Sequence, residues 1–232
     1  MPRYAIYAAP ERGTRLWQFG NLVLGRDAET GEEVARKVPP QFSPEEWTAF
    51  TASPRRYGFH ATLKAPFTLH EGATEEDLFA AVRRFAAARP AIHDIPLVPE
   101  LSGRFVFLTP AYAEPRVLEL ANACVSEFDS FRAPLTEDDR AKRIASGLSE
   151  RQTAHLDRWG YPYVFEDFMF HLTLAGPLPE DKRDAVFAAL ADAFAREVSG
   201  EALDVRTLCV FREPEPGAPF SLVLRAPLGE AA

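Results

Sequence analysis

Two short stretches of this chain are copies of each other: FHATLKAP, from Phe59 to Pro66, and FHLTLAGP, from Phe170 to Pro177. Aligning His60 with His171 places Phe59 on Phe170, Thr62 on Thr173, Leu63 on Leu174 and Pro66 on Pro177. The elements around them repeat as well. Each copy precedes a helical stretch (about 74–89, then about 179–197) and later a strand-like run (about 103–109, then about 219–226). A repeat on this scale constrains the fold more than any local propensity, because each copy is one structural unit that must find a partner for its apolar face. The expected fold class is α+β: two similar lobes from an internal duplication, each a mainly antiparallel sheet with outer helices, flanking a central cleft. The whole of 1–232 then reads as a single bilobal domain, with lobe 1 at about 1–112 and lobe 2 at about 113–232. The charged, aromatic-ended segment from Arg132 to Tyr163 has no counterpart in the first copy. It is expected to be a lid or a substrate-selecting insertion.

The remaining elements read from local signals. SPEEWTAFTASP has Ser43 as N-cap and Pro44 at the first helical position, a helix start. TEEDLFAAVRRFAAARP has Thr74 and Asp77 at capping-box spacing, with Leu78, Ala81, Val82 and Phe85 at helical period. PRVLELANACVSEFDSF predicts a helix from Pro115 to about Phe131, and RYAIYAAP a first strand. RLWQFGNLVLG is equally compatible with a strand or a short helix.

Side chains at i and i+2 share one face of a strand. His60, Thr62 and Lys64 are therefore expected on one face, with Phe59, Ala61 and Leu63 in the apolar layer behind. In the second copy His171 and Thr173 share a face, and Ala175 stands where the first copy has Lys64. A lone H-x-T is weak evidence, since threonine favours strands and a half-buried histidine is common. Two copies in equivalent strands bring two imidazoles and two hydroxyls into one cleft.

That set suits displacement at phosphorus. Histidine titrates near neutral pH, so one ring can accept a proton while its twin donates one. Thr62 and Thr173 would donate to non-bridging oxygens, and Lys64 would neutralise developing charge. Tyr57 and Arg56 stand just before the first motif and are placed at the rim. Arg104, Arg132, Arg140 and Arg143 are candidates for a second phosphate or a carboxylate.

Composition limits the ligand. Acidic residues outnumber basic ones by 34 to 26, a formal charge of −8, which argues against long nucleic acid and for a small phosphorylated partner held in a local basic pocket. No apolar run approaches the roughly 20 residues of a membrane span. The two cysteines, Cys124 and Cys209, form no C-x-x-C, so a reducing cytoplasm is the expected compartment. The chain carries neither G-x-x-x-x-G-K-[ST] nor G-x-G-x-x-G, and thus no P-loop or dinucleotide signature.

The paired H-x-T motifs resemble the 2H phosphoesterase superfamily, which includes cyclic nucleotide phosphodiesterases and RNA 2′,3′-cyclic phosphodiesterase or 2′-5′ ligase-like proteins. More narrowly, RYGFHATLKAPF with RWGYPYVFEDFMFHLTLAGPL resembles a branch of phosphonate metabolism proteins encoded beside carbon-phosphorus lyase genes. The resemblance implies His60 and His171 as the acid/base pair and Thr62 and Thr173 as phosphate holders, with no metal or other cofactor. It further implies a phosphodiesterase acting on a small cyclic or linear phosphodiester, a phosphorylated sugar or nucleotide. Lys64, Tyr57 and Arg104 complete the expected substrate-binding set. Two other readings stay open. One is a binding protein for a phosphorylated metabolite, without turnover. The other is a metal-dependent phosphohydrolase, for which Glu166 and Asp167 near His171 are the available carboxylates.

Overall fold

The computed structural model of the protein describes residues 1–198 and 200–229. The chain runs β1 (Arg3–Ala8), α1 (Arg15–Leu24), α2 (Pro44–Tyr57), β2 (Ala61–Phe67), α3 (Glu75–Ala87), β3 (Ile92–Ile95), β4 (Leu97–Ser102), β5 (Phe105–Pro110), α4 (Pro115–Glu127), α5 (Glu137–Ile144), α6 (Glu150–Trp159), β6 (Leu172–Ala175), α7 (Arg183–Glu197), β7 (Leu203–Val205), β8 (Thr207–Glu213) and β9 (Ser221–Pro227). This is an α+β fold, with a large antiparallel sheet and seven α-helices among the described residues.

The helix starts follow the capping chemistry. Ser43 and Thr74 both close full capping boxes, with Glu46 and Asp77 respectively, satisfying donors that the first helical turn leaves open. The ambiguous stretch is helix α1, opened by Thr14 as N-cap and closed by Gly25 in the left-handed region. Leu78, Val82 and Phe85 of α3 are buried. Each such side chain contributes about 1.5–3 kcal/mol by leaving water. The predicted helix from Pro115 is α4 followed by a 3-10 turn, Phe128–Phe131.

Seven strands form the main sheet in the order β4-β5-β6-β2-β1-β8-β9, and β3 pairs with β7 in a small second sheet. The two H-x-T strands are neighbours: β2 and β6 are antiparallel, with Ala61 opposite Leu172. The expected boundary near residue 112 is not where this sheet divides. β4 and β5 of the first half flank β6, while β8 and β9 of the second half flank β1. The halves exchange strands, so each H-x-T strand borrows neighbours from the other half of the chain.

One apolar core lies on the sheet face that carries Ala61, Leu63, Leu172 and Leu174, covered by side chains of α1, α2, α3, α4 and α7. The opposite face holds Ala5, Tyr7, Cys209 and Phe211 in a smaller cluster, and the site lies there. No helix among the described residues is long and apolar enough to cross a membrane.

Candidate active site

Because Ala61 faces Leu172 across antiparallel strands, extending the register by one residue puts His60 across from Thr173 and Thr62 across from His171. Each histidine thus neighbours the threonine of the other copy, and all four project away from the helical core. They line one cavity of about 240 Å³ together with Arg3, Ser53, Tyr57, Phe105, Arg143 and Tyr161. Pro54, Gly58, Ala65 and Pro66 complete the wall, so the cavity presents no carboxylate. In a chain of net charge −8, a wall of imidazole, hydroxyl and guanidinium groups suits an anion.

Both imidazoles are set by the same hydrogen bond. His60 Nδ1 lies 2.9 Å from the Gly58 carbonyl, and His171 Nδ1 lies 2.9 Å from the Met169 carbonyl. A carbonyl only accepts, so Nδ1 carries the proton in each ring and Nε2 of the neutral form keeps a free lone pair. Nε2 of His60 is 3.3 Å from the Thr62 hydroxyl. Gly58 supplies its carbonyl from a backbone at φ 81°, and a Cβ there would lie 2.4 Å from the Ala28 side chain. Only glycine turns the end of α2 into this hydrogen bond without strain.

The neighbouring strands add an aromatic ring to each copy. Tyr7 on β1 pairs with Thr62, and Phe107 on β5 pairs with Thr173. The Tyr7 ring stacks on His60 with centroids 3.6 Å apart at 18°, whereas Phe107 meets His171 at 5.2 Å and 58°. Burial, helped by the charge of His171, pushes the pKa of His60 down to about 3 against a smaller opposing effect of the Gly58 carbonyl. His60 is therefore a neutral imidazole at physiological pH.

Of the expected binding residues, Tyr57 lines the cavity and stacks on Phe220. Lys64 does not reach it. β1 and β2 lose register there: Tyr7 pairs with Thr62 but Ile6 pairs with Lys64, so one step on β1 spans two on β2. This β-bulge turns both Leu63 and Lys64 into the buried layer and breaks the simple alternation. Lys64 Nζ donates to the Val125 carbonyl at 3.0 Å and faces Asp129 at 3.5 Å. Arg104 is also placed elsewhere, its Nε donating to the Leu178 carbonyl.

Arg56 turns to Glu213 and the Ala218 carbonyl. Arg132 pairs with Asp129, and Arg140 grips Asp157 through two nitrogens. Arg143 alone of the four candidate arginines lines the cavity, brought there with Tyr161 by the segment from 132 to 163. Asp167 is engaged by Arg151 and Gln152 and, with Glu166, faces His155.

Arg3, Tyr7 and Ser53 were not singled out by the sequence. Arg3 is tied, with Arg56, to the fully buried Glu213. Burial alone would raise that carboxyl's pKa, but hydrogen bonds from Arg3 and Arg56 outweigh it and hold the group below its ordinary range. Tyr7 does carry a sequence signal, since it alternates with Tyr4 and Ile6 in the first strand.

The family described as "Protein of unknown function (DUF1045)" matches residues 62–221. A protein of Janthinobacterium sp. (strain Marseille), named ribose 1,5-bisphosphate phosphokinase PhnN, is 41% identical over 225 residues, 95% of this chain and 49% of that protein. A like-named protein of Laribacter hongkongensis (strain HLHK9) is 38% identical over 224 residues, 95% of this chain and 50% of that one. The chain spans about half the length of these curated relatives. Among solved structures, E. coli LigT complexed with 3′-AMP covers 98% of this chain and 99% of its own at 15% identity and a TM-score of 0.45.

Proposed function

The chain belongs to the DUF1045 family, and from the two imidazoles set alike on one sheet face we propose that it is a metal-independent phosphoesterase of the 2H type, acting on a small cyclic or linear phosphodiester. The observation that carries this reading is the duplicated hydrogen bond. Each ring is fixed through Nδ1 on the carbonyl two residues before it, leaving Nε2 for the reaction. A site that only bound a phosphate would need hydroxyls and cations, but not two positioned titrating groups.

In the reaction we propose, Nε2 of neutral His60 takes a proton from the attacking water as its oxygen bonds to phosphorus. The bond to the leaving oxygen breaks, and that oxygen takes the Nε2 proton of protonated His171. Thr62 and Thr173 donate to the non-bridging oxygens, where charge accumulates in the transition state. Exchange with solvent returns each ring to its starting state.

The names of the curated relatives supply a ligand class. They concern a ribose bisphosphate, and this chain has no P-loop sequence. We take from them the phosphorylated ribose and not the kinase reaction, and we place the chain in phosphonate metabolism on the resemblance of the sequence around its two H-x-T motifs. Phosphorus NMR of the protein with ribose cyclic phosphates and 2′,3′-cyclic nucleotides tests the reading, run with and without chelator. Chelator-resistant conversion of one compound is the expected result. A bound resonance without conversion would replace the enzyme by a binding protein, and loss on chelation with recovery on added metal would replace the mechanism.

A further inference from the structure

Arg143 is the one residue of α5 that is not exposed. The other residues of that helix are exposed, while its own side chain is turned into the cavity beside His60, His171 and both threonines. The guanidinium carbon lies 5.0 Å from the centre of the Tyr161 ring. Among the described residues Arg143 pairs with no carboxylate, unlike Arg132, Arg140 and Arg151 around it. It also differs from Arg3, the other guanidinium of the cavity, which is already ion-paired with Glu213, a carboxylate that it shares with Arg56. The helix that carries it is tied down, since Arg140 holds Asp157 of α6 at 2.6 and 2.9 Å.

A half-buried cation with an aromatic neighbour and no counter-ion has lost part of its hydration and received nothing ionic in return. Such a group discriminates strongly: a ligand that supplies the missing anion is favoured, and one that buries the guanidinium against a neutral group is penalised. The reacting phosphoryl group has its own donors on the sheet, in the two threonines and, in the proposed reaction, protonated His171. Arg143 comes from the inserted segment instead, and is left for a different part of the ligand.

We infer that Arg143 recognises a second anionic group on the substrate, a phosphate monoester separate from the phosphoryl group at His60 and His171. The inference rests on the phosphoesterase reading and narrows its substrate to compounds carrying two phosphoryl groups. A guanidinium fits such a group because its planar fork can give two parallel hydrogen bonds to phosphate oxygens. Tyr161, lying against the guanidinium, limits where that fork can point.

The test reads binding, so it does not depend on turnover. Isothermal titration calorimetry compares ribose 1,5-bisphosphate with ribose 5-phosphate, each titrated into the wild type, Arg143→Gln and Arg143→Lys. The wild type is expected to prefer the bisphosphate by about tenfold or more, as removal of one charge-assisted pair implies. Arg143→Gln should bring that ratio to within about twofold of unity, and Arg143→Lys should keep part of it. An unchanged ratio in Arg143→Gln, or no preference in the wild type, overturns the inference. Failure of the phosphoesterase reading shows separately, as absence of turnover of every cyclic phosphate by the wild type.

Discussion

The two H-x-T copies share their hydrogen bond and differ in almost everything around it. His60 and His171 each place Nδ1 at 2.9 Å from the carbonyl two residues earlier. Yet His60 lies flat on the ring of buried Tyr7 and has Phe211 at 5.9 Å, whereas His171 meets Phe107 at a steep angle. The carbonyl for His60 comes from buried Gly58 at the end of α2; that for His171 comes from Met169, whose side chain is exposed. The difference teaches that the carbonyl two residues before each histidine orients the ring, while the strand beside each copy decides which aromatic ring packs against it. The settings of the pair are thereby unlike, and in the first copy burial disfavours the charged form of His60.

The largest effect expected from this pair is on turnover. His60→Ala and His171→Ala should each lower kcat on the substrate found by phosphorus NMR by about 10² or more. The double variant should fall little further, because in the proposed mechanism the two groups serve one proton relay and act as a unit. Multiplicative losses would mean the rings work independently, and a wild-type rate in either single variant would remove that ring from the chemistry.

The second effect is on stability and belongs to the first copy. His60 has a pKa of about 3 in the folded protein against an ordinary value of 6.5. Between these values the unfolded chain binds a proton that the native ring refuses, so the native state loses stability as pH falls from about 6.5 towards 3. Urea unfolding at pH 4 to 7 should show a shallower slope in His60→Gln, by up to about 1.4 kcal/mol per pH unit. An identical slope in the variant and the wild type would break the asymmetry between the copies.

Much of this was legible in the sequence, and the parts that were not have physical causes. The repeat placed His60, Thr62, His171 and Thr173 on one face because each motif is short enough for two-residue alternation to hold. Capping chemistry placed the starts of α2 and α3, since Ser43 and Thr74 act on donors within their own first turn. Strand exchange left no such local trace. β5 joins β6, and β8 joins β1, through contacts between distant parts of the chain, so the expected lobes followed chain halves that the sheet ignores. Arg104 and Arg143 looked alike as isolated charges, and only folding sends one to the Leu178 carbonyl and the other to the cavity.

Lys64 gives the smallest predicted effect on activity and the sharpest check on how the copies diverge. Alternation carried past Thr62 would put its ammonium in the cavity, where the second copy has Ala175; the bulge puts it instead between the Val125 carbonyl and Asp129. Burial pushes its pKa down to about 8, with Asp129 opposing the shift only in part. At pH 7 the ammonium is still charged. Lys64→Met would leave Asp129 with Arg132 and Arg158 as partners and would fill the buried space with an apolar chain. The lost hydrogen bond to Val125 costs about 1 kcal/mol, offset by a similar gain from no longer burying a cation. Above neutrality the sign is definite. From about 8 to 10.5 the unfolded chain keeps a proton that the native lysine gives up, so the wild type gains stability from this group as pH rises, and Lys64→Met should not. Activity should stay within about twofold, because the side chain ends on the far side of the sheet from both imidazoles. A tenfold loss of kcat/KM with unchanged stability would return the ammonium to the phosphate and make the two copies differ in chemistry as well as in setting.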